Sequence, residues 1–292
     1  MNFSVIDWQA EELKNLPNRP QESNKGTFGR VLCVCGSLGM SGAAYLAAKA
    51  AYRTGAGLVR ILTVEENRQV LQTLLPEAIV TVYGKDEPEL ARIEEAEAWA
   101  DVLVIGCGLG VTRASRTLLA HLLRYSKKPK VLDADALNLI SRNPSLFKYT
   151  RGAILTPHPM EMSRLCSLSV EEILEHSESI AHGFAEKYGT VVVLKRHRTL
   201  TANGSGILYR NTTGNSGMAT GGSGDVLAGI LGGLLAQLRD GEFSTAEIAA
   251  MGVLIHGMCG DLAARELGEH AMMASDLLDA LPAVMKWAET LN

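Results

Sequence analysis

The fold is decided by residues 31–64, which read VLCVCGSLGMSGAAYLAAKAAYRTGAGLVRILTV. The two ends of this stretch, VLCVCG (31–36) and LVRILTV (58–64), are short, mostly apolar and rich in β-branched residues. The alanine-rich segment between them predicts a helix that crosses from one strand to the other. Strands that are apolar along most of their length are typical of a parallel sheet covered by helices on both faces.

The same alternation continues towards the carboxyl terminus. We predict further strands at 78–83, 101–106, 130–135, 153–157 and 190–195, with helical segments between them. Beyond Lys195 the turn signals Asn203-Gly204 and Ser205-Gly206 predict a hairpin. Helices are then expected at 224–238, 245–267 and 275–291. The pattern predicts a single domain over 1–292, with three α/β/α layers and a mostly parallel sheet. We expect residues 1–25 to form a helical extension on the sheet or a neighbouring subunit.

Composition and net charge limit the classes of function that this chain can have. The chain has 292 residues and a formal net charge of -4, so it offers no electrostatic case for binding nucleic acid or an anionic membrane. The N-terminal segment has early acidic residues and is not a signal peptide, and no apolar run reaches the roughly 18 to 20 residues that span a bilayer. The five cysteines are odd in number and scattered, which indicates buried thiols in a reducing, cytoplasmic compartment.

The strongest local signal is Gly221-Gly222-Ser223-Gly224-Asp225, just before an amphipathic helix rich in glycine and alanine. Glycines let successive backbone N–H groups converge, and the helix N-terminus adds partial positive charge, so this loop is suited to an anion. Asp225 is then either a base that accepts a proton from an attacking hydroxyl or a helix cap, and the spacing favours neither. The loop is not a Walker A motif, and Gly106–Gly110 is not a Rossmann fingerprint.

Polar and glycine residues also follow five predicted strands, at the edge where open α/β sheets bind ligands. They are Gly36-Ser37, Gly106–Gly110, Asp133 with Asp135, the turn 156–159 that contains His158, and Lys195. Asp133 and Asp135 together suit water-mediated binding of Mg²⁺, although Asp133 suits a helix cap equally well. His158 alone is typical of a solvated loop, and His256 of a packed core histidine. No His/Cys group has the spacing of a zinc site.

At this point the residues resemble a known family. The segments are KGTFGRVLCVCGS, SGAAYLAAKAAYRTGAGLVRILT, VIGCGLG, VLDADALN, AILTPHPMEM and NSGMATGGSGDVLAGILGGLLA. Together they resemble the ADP/ATP-dependent NAD(P)H-hydrate dehydratases, in their stand-alone form without an epimerase domain. The resemblance implies a ribokinase-like fold and repair of the S epimer of hydrated NADH or NADPH. It also implies Mg²⁺, ADP or ATP as phosphoryl donor, coupling to a separate epimerase, and a homotetramer.

The resemblance carries over residue by residue. Ala43, Gly110, His158 and Asp225 match the contacts to the hydrated cofactor, with Asp225 as the catalytic base. The adenine-nucleotide site matches Lys195, Arg196, His197, Arg198, Thr199 and Gly224. The resemblance places Asn215 in the Asn-rich approach to the anion loop, where it supports phosphate or metal. The residues themselves give 221–224 as the anion hole and Asp133 as a candidate support for phosphate or metal. The resemblance assigns no direct metal ligand.

Three positions depart from the family pattern: Cys107 replaces a proline, Met160 a glycine, and Arg196 the glycine of LKG-x-x-T. Arg196 adds positive charge beside the expected nucleotide and also crowds it. The residues alone also allow two other functions. One is a ribokinase-like kinase of a small alcohol or vitamin precursor, whose product keeps its phosphate. The other is a nucleotide-binding protein without catalytic activity.

Overall fold

A twisted ten-stranded sheet forms the centre of the computed structural model, which describes residues 3–16, 18–84, 86–238 and 241–291. The strands are β1 (Ser4–Trp8), β2 (Arg30–Val34), β3 (Leu58–Val64), β4 (Ile79–Tyr83), β5 (Val102–Ile105), β6 (Lys130–Leu132), β7 (Ile154–Leu155), β8 (Val191–Leu194), β9 (Leu200–Ala202) and β10 (Ile207–Asn211). Their order across the sheet is β1-β10-β9-β8-β7-β6-β5-β2-β3-β4. Only β9 runs antiparallel to both of its neighbours, as expected for the predicted hairpin.

Helices cover both faces of the sheet. They are α1 (Ser41–Thr54), α2 (Arg68–Leu74), α3 (Leu90–Trp99), α4 (Arg113–Tyr125), α5 (Asp135–Ser141), α6 (Pro159–Cys166), α7 (Val170–Glu175), α8 (Ser177–Tyr188), α9 (Ser223–Leu238), α10 (Thr245–Leu267) and α11 (Ala274–Glu289). Short 3-10 helices occur at Ala10–Asn15, Glu65–Asn67, Pro144–Tyr149 and Ser216–Met218. One apolar core lies under α1, α2 and α9 to α11, and the other under α3 to α8.

Strand β2 shows how the sequence divides between the two cores. Val31, Cys33 and Cys35 belong to the core beneath α1 and α9, whereas Leu32 and Val34 belong to the opposite one. This alternation follows from the two-residue repeat of a strand. It confirms that Cys33 and Cys35 share one face as buried, unpaired thiols. The three-layer α/β/α architecture with a mostly parallel sheet is therefore confirmed.

The N-terminal segment corrects one expectation. Residues 4–8 form a strand, not a helix, and this strand pairs in parallel with β10 at the edge of the sheet. Its side chains fix the pairing: Trp8 stacks on Tyr209 with ring centroids 4.6 Å apart, and Asp7 accepts from Arg210 Nε at 2.6 Å. The edge of β10 offers unpaired backbone groups, and covering them favours an extended strand over a helix. Residues 1, 2 and 17 of the expected extension lie outside the described residues.

Contrary to the expectation from the sequence that no apolar stretch reaches that length, helix α10 is long and apolar enough to cross a membrane, judged by its length and composition alone. However, 72% of its apolar window is buried inside the molecule, as in a helix of a protein core. It packs against α9 and α11 in the larger of the two cores.

Glycines bring α9 unusually close to α1. A Cβ added at Gly229 would lie 2.1 Å from the carbonyl oxygen of Ala47, and one at Gly233 would lie 2.7 Å from that of Ala51. These oxygens belong to backbone and cannot move aside easily, so the glycines set the distance between the helices. The Ala-rich and Gly-rich sequences of α1 and α9 thus have one shared cause in the packing.

This packing leads to a stability prediction. Gly229→Ala should lower the free energy of unfolding by about 2 to 3 kcal/mol, because the added methyl group overpacks the α1–α9 contact. Gly42→Ala is the matched control, since Gly42 lies in α1 with open space around its Cβ position. That control should be neutral or stabilise by up to about 1 kcal/mol through helix propensity. Urea denaturation of both variants measures the difference, and equal effects would contradict this account of the helix contact.

Candidate active site

The glycine loop leads directly into α9, as predicted. The helix begins at Ser223, so Gly224 and Asp225 lie in its first turn. Gly222 has φ +93°, and a Cβ there would lie 2.6 Å from Leu46 Cδ1. This position therefore favours glycine for both conformation and space. The N-terminal end of α9 opens at the carboxyl edge of the sheet, where its free N–H groups and dipole attract an anion.

The Asp225 side chain is partly buried among other carboxylates. Among the described residues it accepts no backbone N–H, so it does not act as a cap of α9. Burial, and then the charge of Asp133, raise the pKa of Asp225 to about 6, although Cys107 and Lys195 oppose this shift. A carboxylate with such a pKa takes up a proton readily near neutral pH, as a general base requires.

An ion pair lies across the site from Asp225. Lys195 Nζ donates to Asp133 Oδ1 at 2.7 Å, and Thr156 Oγ1 donates to the same oxygen at 2.6 Å. Asp133 is only 1% exposed, and its carboxylate is held by these two donors. Burial alone would lower the pKa of Lys195, but Asp133 and Glu161 outweigh burial and raise it. Lys195 therefore keeps its positive charge. Its bond to Asp133, together with that of Thr156, joins the ends of β6, β7 and β8.

The turn after β5 fits tightly against the end of β6. A Cβ at Gly106 would lie 1.9 Å from the carbonyl oxygen of Asp133, so only glycine fits there. Gly110 N donates to Asp135 Oδ2 at 2.7 Å, which occupies that carboxylate. Ala134 lies between the two aspartates with φ 46° and ψ -113°, a strained conformation for a residue with a side chain. The strain turns Asp133 towards Lys195 and Asp135 towards Gly110.

Two of the residues expected to contact the hydrated cofactor share one wall of the site. Ala43 is buried at the start of α1, and the Cβ position of Gly108 lies 2.8 Å from its Cβ. The Cβ position of Gly110 lies 3.3 Å from Ser37 Oγ, in the loop after β2. The structure therefore brings the ends of β2 and β5 together, as the sequence predicted for the carboxyl edge of the sheet.

His158 has a role that the sequence did not predict. Its Nδ1 accepts from the backbone N–H groups of Met160 and Glu161, and Glu161 Oε2 accepts from His158 N at 2.9 Å. These bonds form a capping box at the start of α6. Burial, and then the charge of Lys195, lower the pKa of His158. The imidazole is therefore neutral, and it lies half-exposed at the rim near Lys195.

The expected nucleotide segment divides into two parts. Lys195 lies in the site, and its Nζ is 3.2 Å from the Cβ position of Gly224, so these two predicted residues meet. Arg196, His197 and Arg198 form an exposed turn, with Thr199 Oγ1 donating to the carbonyl of Arg196 at 3.2 Å. The Arg196 guanidinium donates to Ser177 Oγ at the start of α8. The hydrogen bond to Ser177 therefore fixes the charged Arg196 side chain against α8.

Helix α10 supplies Asp261, which the sequence interpretation missed, and His256, which it interpreted as a packed core histidine. Asp261 accepts from Gly214 N at 2.9 Å and from Asn215 Nδ2 at 3.0 Å, so Asn215 holds the approach to the glycine loop. His256 Nε2 donates to the carbonyl of Ser223 at 2.9 Å. Burial lowers the pKa of His256 to about 4, so this donor is neutral. The run HGMCGD (256–261) was the available signal, since it places both polar residues on one apolar helix.

The comparisons with known proteins identify the family of this chain. The family model of NAD(P)H-hydrate dehydratase matches residues 31–283, which include every strand end described above. This chain belongs to the NAD(P)H-hydrate dehydratase family. A bifunctional NAD(P)H-hydrate repair enzyme of Moorella thermoacetica is 42% identical over 283 residues, covering 93% of this chain and 52% of that protein. The chain thus spans about half the length of this relative.

Other relatives match over most of their length. An ADP-dependent (S)-NAD(P)H-hydrate dehydratase of Neisseria meningitidis is 39% identical over 268 residues, 89% of this chain and 84% of that protein. A ribokinase-like superfamily protein of Enterococcus faecalis superposes with TM-score 0.88 and 31% identity, over 97% of this chain and 96% of that one. The Bacillus subtilis ADP/ATP-dependent NAD(P)H-hydrate dehydratase, crystallised with ATP/Mg²⁺, gives TM-score 0.82 at 31% identity, over 99% of each chain. The ribokinase-like fold is confirmed.

The raised pKa of Asp225 predicts a cost in stability. Its pKa is about 6 in the folded protein against 3.8 as the ordinary value, so the folded state binds the proton more tightly. Stability should therefore fall as pH rises from about 4 to 6, by about 1 to 3 kcal/mol. Asp225→Asn removes this cost and should raise the free energy of unfolding by a similar amount at pH 7.5, with only about a third of that gain near pH 4.5. Urea denaturation at the two pH values measures it.

The control for this experiment is Asp279→Asn, because the Asp279 side chain is 75% exposed. That variant should leave stability nearly unchanged at both pH values. A destabilised Asp225→Asn protein at pH 7.5 would show that the fold needs the charged carboxylate, contrary to this account.

Proposed function

We propose that this protein dehydrates the S epimer of hydrated NADH or NADPH, using ADP or ATP, and so restores the reduced cofactor. The products besides NAD(P)H are phosphate and AMP from ADP, or phosphate and ADP from ATP. The observation that carries the proposal is the position of Asp225. A carboxylate with a pKa near 6 lies in the first turn of a helix that follows a glycine loop, within reach of the Asp133–Lys195 pair.

The first step is a phosphoryl transfer. The Asp225 carboxylate takes the proton of the ring hydroxyl as that oxygen attacks the terminal phosphorus of the nucleotide. A new P–O bond forms, the bond to the bridging oxygen breaks, and the shortened nucleotide leaves. The N–H groups of 221–224 and the N-terminal end of α9 stabilise the charge on the transferred oxygens. Lys195 contributes its positive charge beside Gly224.

The second step is an elimination. The C–O bond breaks with its electron pair leaving on phosphate, the neighbouring ring carbon loses a proton, and the ring double bond returns. Phosphate is a far better leaving group than hydroxide, which explains why a dehydration consumes a nucleotide. The close walls at Ala43 and Gly110 leave room for a flat ring because neither residue has a side chain larger than a methyl group.

Charge explains why the reaction would use Mg²⁺. Asp133 and Glu161 lie beside the Lys195 ammonium, and Asp133 and Asp135 add negative charge around Asp225, so the carboxylates of the site repel a polyphosphate. Asp133 Oδ1 is occupied by Lys195 and Thr156, whereas its Oδ2 faces the site beside Cys107. This hard oxygen fits a hydrated Mg²⁺ bound through water, as suits the ion's reluctance to lose its water ligands. When bound, the ion would neutralise charge on the nucleotide phosphates.

The role of Asp225 leads to an activity prediction. Asp225→Asn should lower kcat by at least about 100-fold, since a general base is worth that much, while nucleotide affinity changes little. In the native protein kcat/KM should fall below about pH 6 as Asp225 is protonated. Recovery of reduced-nicotinamide absorbance from hydrated NADH, with Mg²⁺ and either nucleotide, measures both. Asp279→Asn is the control, and full activity in the Asp225 variant would remove it as the base.

A phosphorus assay separates this reaction from that of a kinase. The proposed dehydration should release one orthophosphate for each reduced cofactor formed, because the phosphorylated intermediate eliminates. A ribokinase-like kinase acting on a small alcohol would leave a stable phosphoester and no free phosphate. Phosphorus NMR of the completed reaction distinguishes them, and an accumulating phosphoester would contradict the proposal.

We further propose a cytoplasmic homotetramer that works with a separate epimerase, which converts the R epimer of the hydrate into the S epimer. The five described cysteines are all free, which supports a reducing compartment. The bifunctional relatives, named as NAD(P)H-hydrate repair enzymes, support a functional link to a second repair activity. Light scattering of the purified protein tests the tetramer.

A further inference from the structure

The turn after β5 places a thiol against the carboxylates of the site. Cys107 is fully buried, and its Sγ lies 3.8 Å from Asp133 Oδ2. Together with a carboxylate oxygen of Asp225, these three ligand atoms lie within 4.8 Å of one another. The proposed dehydration uses the carboxylates of this group and has no use for the sulfur.

A second thiol lies behind the first. Cys35, at the end of β2, is also fully buried; its Sγ donates to the carbonyl of Val104 at 3.7 Å, whereas the Cys107 thiol donates to Asp133. The two residues approach because Gly36 N donates to the carbonyl of Cys107 at 2.9 Å, across neighbouring strands. The site therefore combines two soft sulfur atoms with two hard carboxylates, and a magnesium site would need only the carboxylates.

We propose that Cys107, Asp133 and Asp225 form a binding site for a thiophilic divalent cation of the zinc class, which inhibits the enzyme. Sulfur and carboxylate ligands in a tetrahedral zinc site lie about 3.4 to 3.6 Å apart, given Zn–S near 2.3 Å and Zn–O near 2.1 Å. The Cys107–Asp133 separation of 3.8 Å is already close to that value. A rotation of the Asp225 side chain in the first turn of α9 brings in the third ligand.

The charge of the site favours such an ion. Asp133, Asp225 and Glu161 carry three negative charges against one on Lys195, which is held 2.7 Å from the far oxygen of Asp133. A dication balances this excess, and Asp133 Oδ2, which accepts from the Cys107 thiol, can bind the ion once that thiol has lost its proton, without displacing Lys195 from Oδ1. Binding converts the thiol into a metal-bound thiolate and releases one proton to solvent, with no change in oxidation state.

Inhibition follows from the ligand set. A cation bound to the Asp225 carboxylate occupies the oxygen that would accept the hydroxyl proton, so the base is blocked. Magnesium does not block the Asp225 carboxylate in this way, because a hard ion gains little from binding the buried sulfur. The distinction between an activating and an inhibiting dication therefore depends on Cys107.

Cobalt(II) is the probe that tests the site, since its thiolate complexes absorb in the near ultraviolet. The titration uses the full-length protein without nucleotide or substrate, so its result does not depend on the proposed reaction. We expect about one equivalent to bind with a thiolate-to-cobalt charge-transfer band, and zinc to displace it. Cys107→Ser should abolish the band. Cys166→Ser is the control, because Cys166 is a partly buried thiol on α6, and that variant should keep the band.

A second measurement uses inhibition. Zinc should inhibit the native enzyme at fixed excess Mg²⁺, and Cys107→Ser should need at least about 10-fold more zinc relative to its own uninhibited rate, the loss expected when a metal ligand is removed. The proposal is overturned if the native protein shows no thiolate band, or if the band persists in Cys107→Ser. Circular dichroism checks that the variant is folded, and the native titration decides the question even if it is not.

Discussion

The ion pair between Lys195 and Asp133 is the interaction on which the rest of the site depends. It joins the ends of β8 and β6, and Thr156 at the end of β7 donates to the same Asp133 oxygen. A buried pair of this kind adds little net stability, but loss of either partner would leave an uncompensated charge. The ion pair matters because it fixes the Lys195 ammonium beside Gly224, in a site otherwise rich in carboxylates.

The carboxyl edge of the sheet explains why distant parts of the sequence act together. Gly106 fits against the Asp133 carbonyl, Gly110 binds Asp135, and a neutral His256 holds Ser223 from α10. Each contact places backbone or an uncharged group where a side chain would obstruct the ligand. The carboxylates of Asp133 and Asp225 therefore lie close together, and burial, followed by the charge of Asp133, raises the pKa of Asp225.

Much of this arrangement could be predicted because it depends on local patterns. The strand from 58 to 64 and the helix from 245 to 267 have the bounds that the apolar pattern gave, and the glycine loop begins α9 as expected. The edge strand at residues 4–8 could not be predicted, because its partner lies about 200 residues away. The same holds for the capping role of His158 and the Arg196–Ser177 contact, which depend on rotamers and on the packing of neighbouring helices. The position of Asp225 in the first turn of α9 could be predicted from the glycine loop. Its raised pKa could not, because it depends on burial and on the charge of Asp133.

The edge strand also has a consequence for the order of folding. Residues 4–8 leave the ribosome before the rest of the sheet, yet their partners at 207–211 are made about 200 residues later. The apolar Val5 and Trp8 therefore remain unpaired while most of the sheet assembles. Closing so long a loop is slow compared with forming the neighbouring strand–helix units. The first strand of the sheet to be synthesised is thus among the last to join it, and the nascent chain carries an open strand edge until it does.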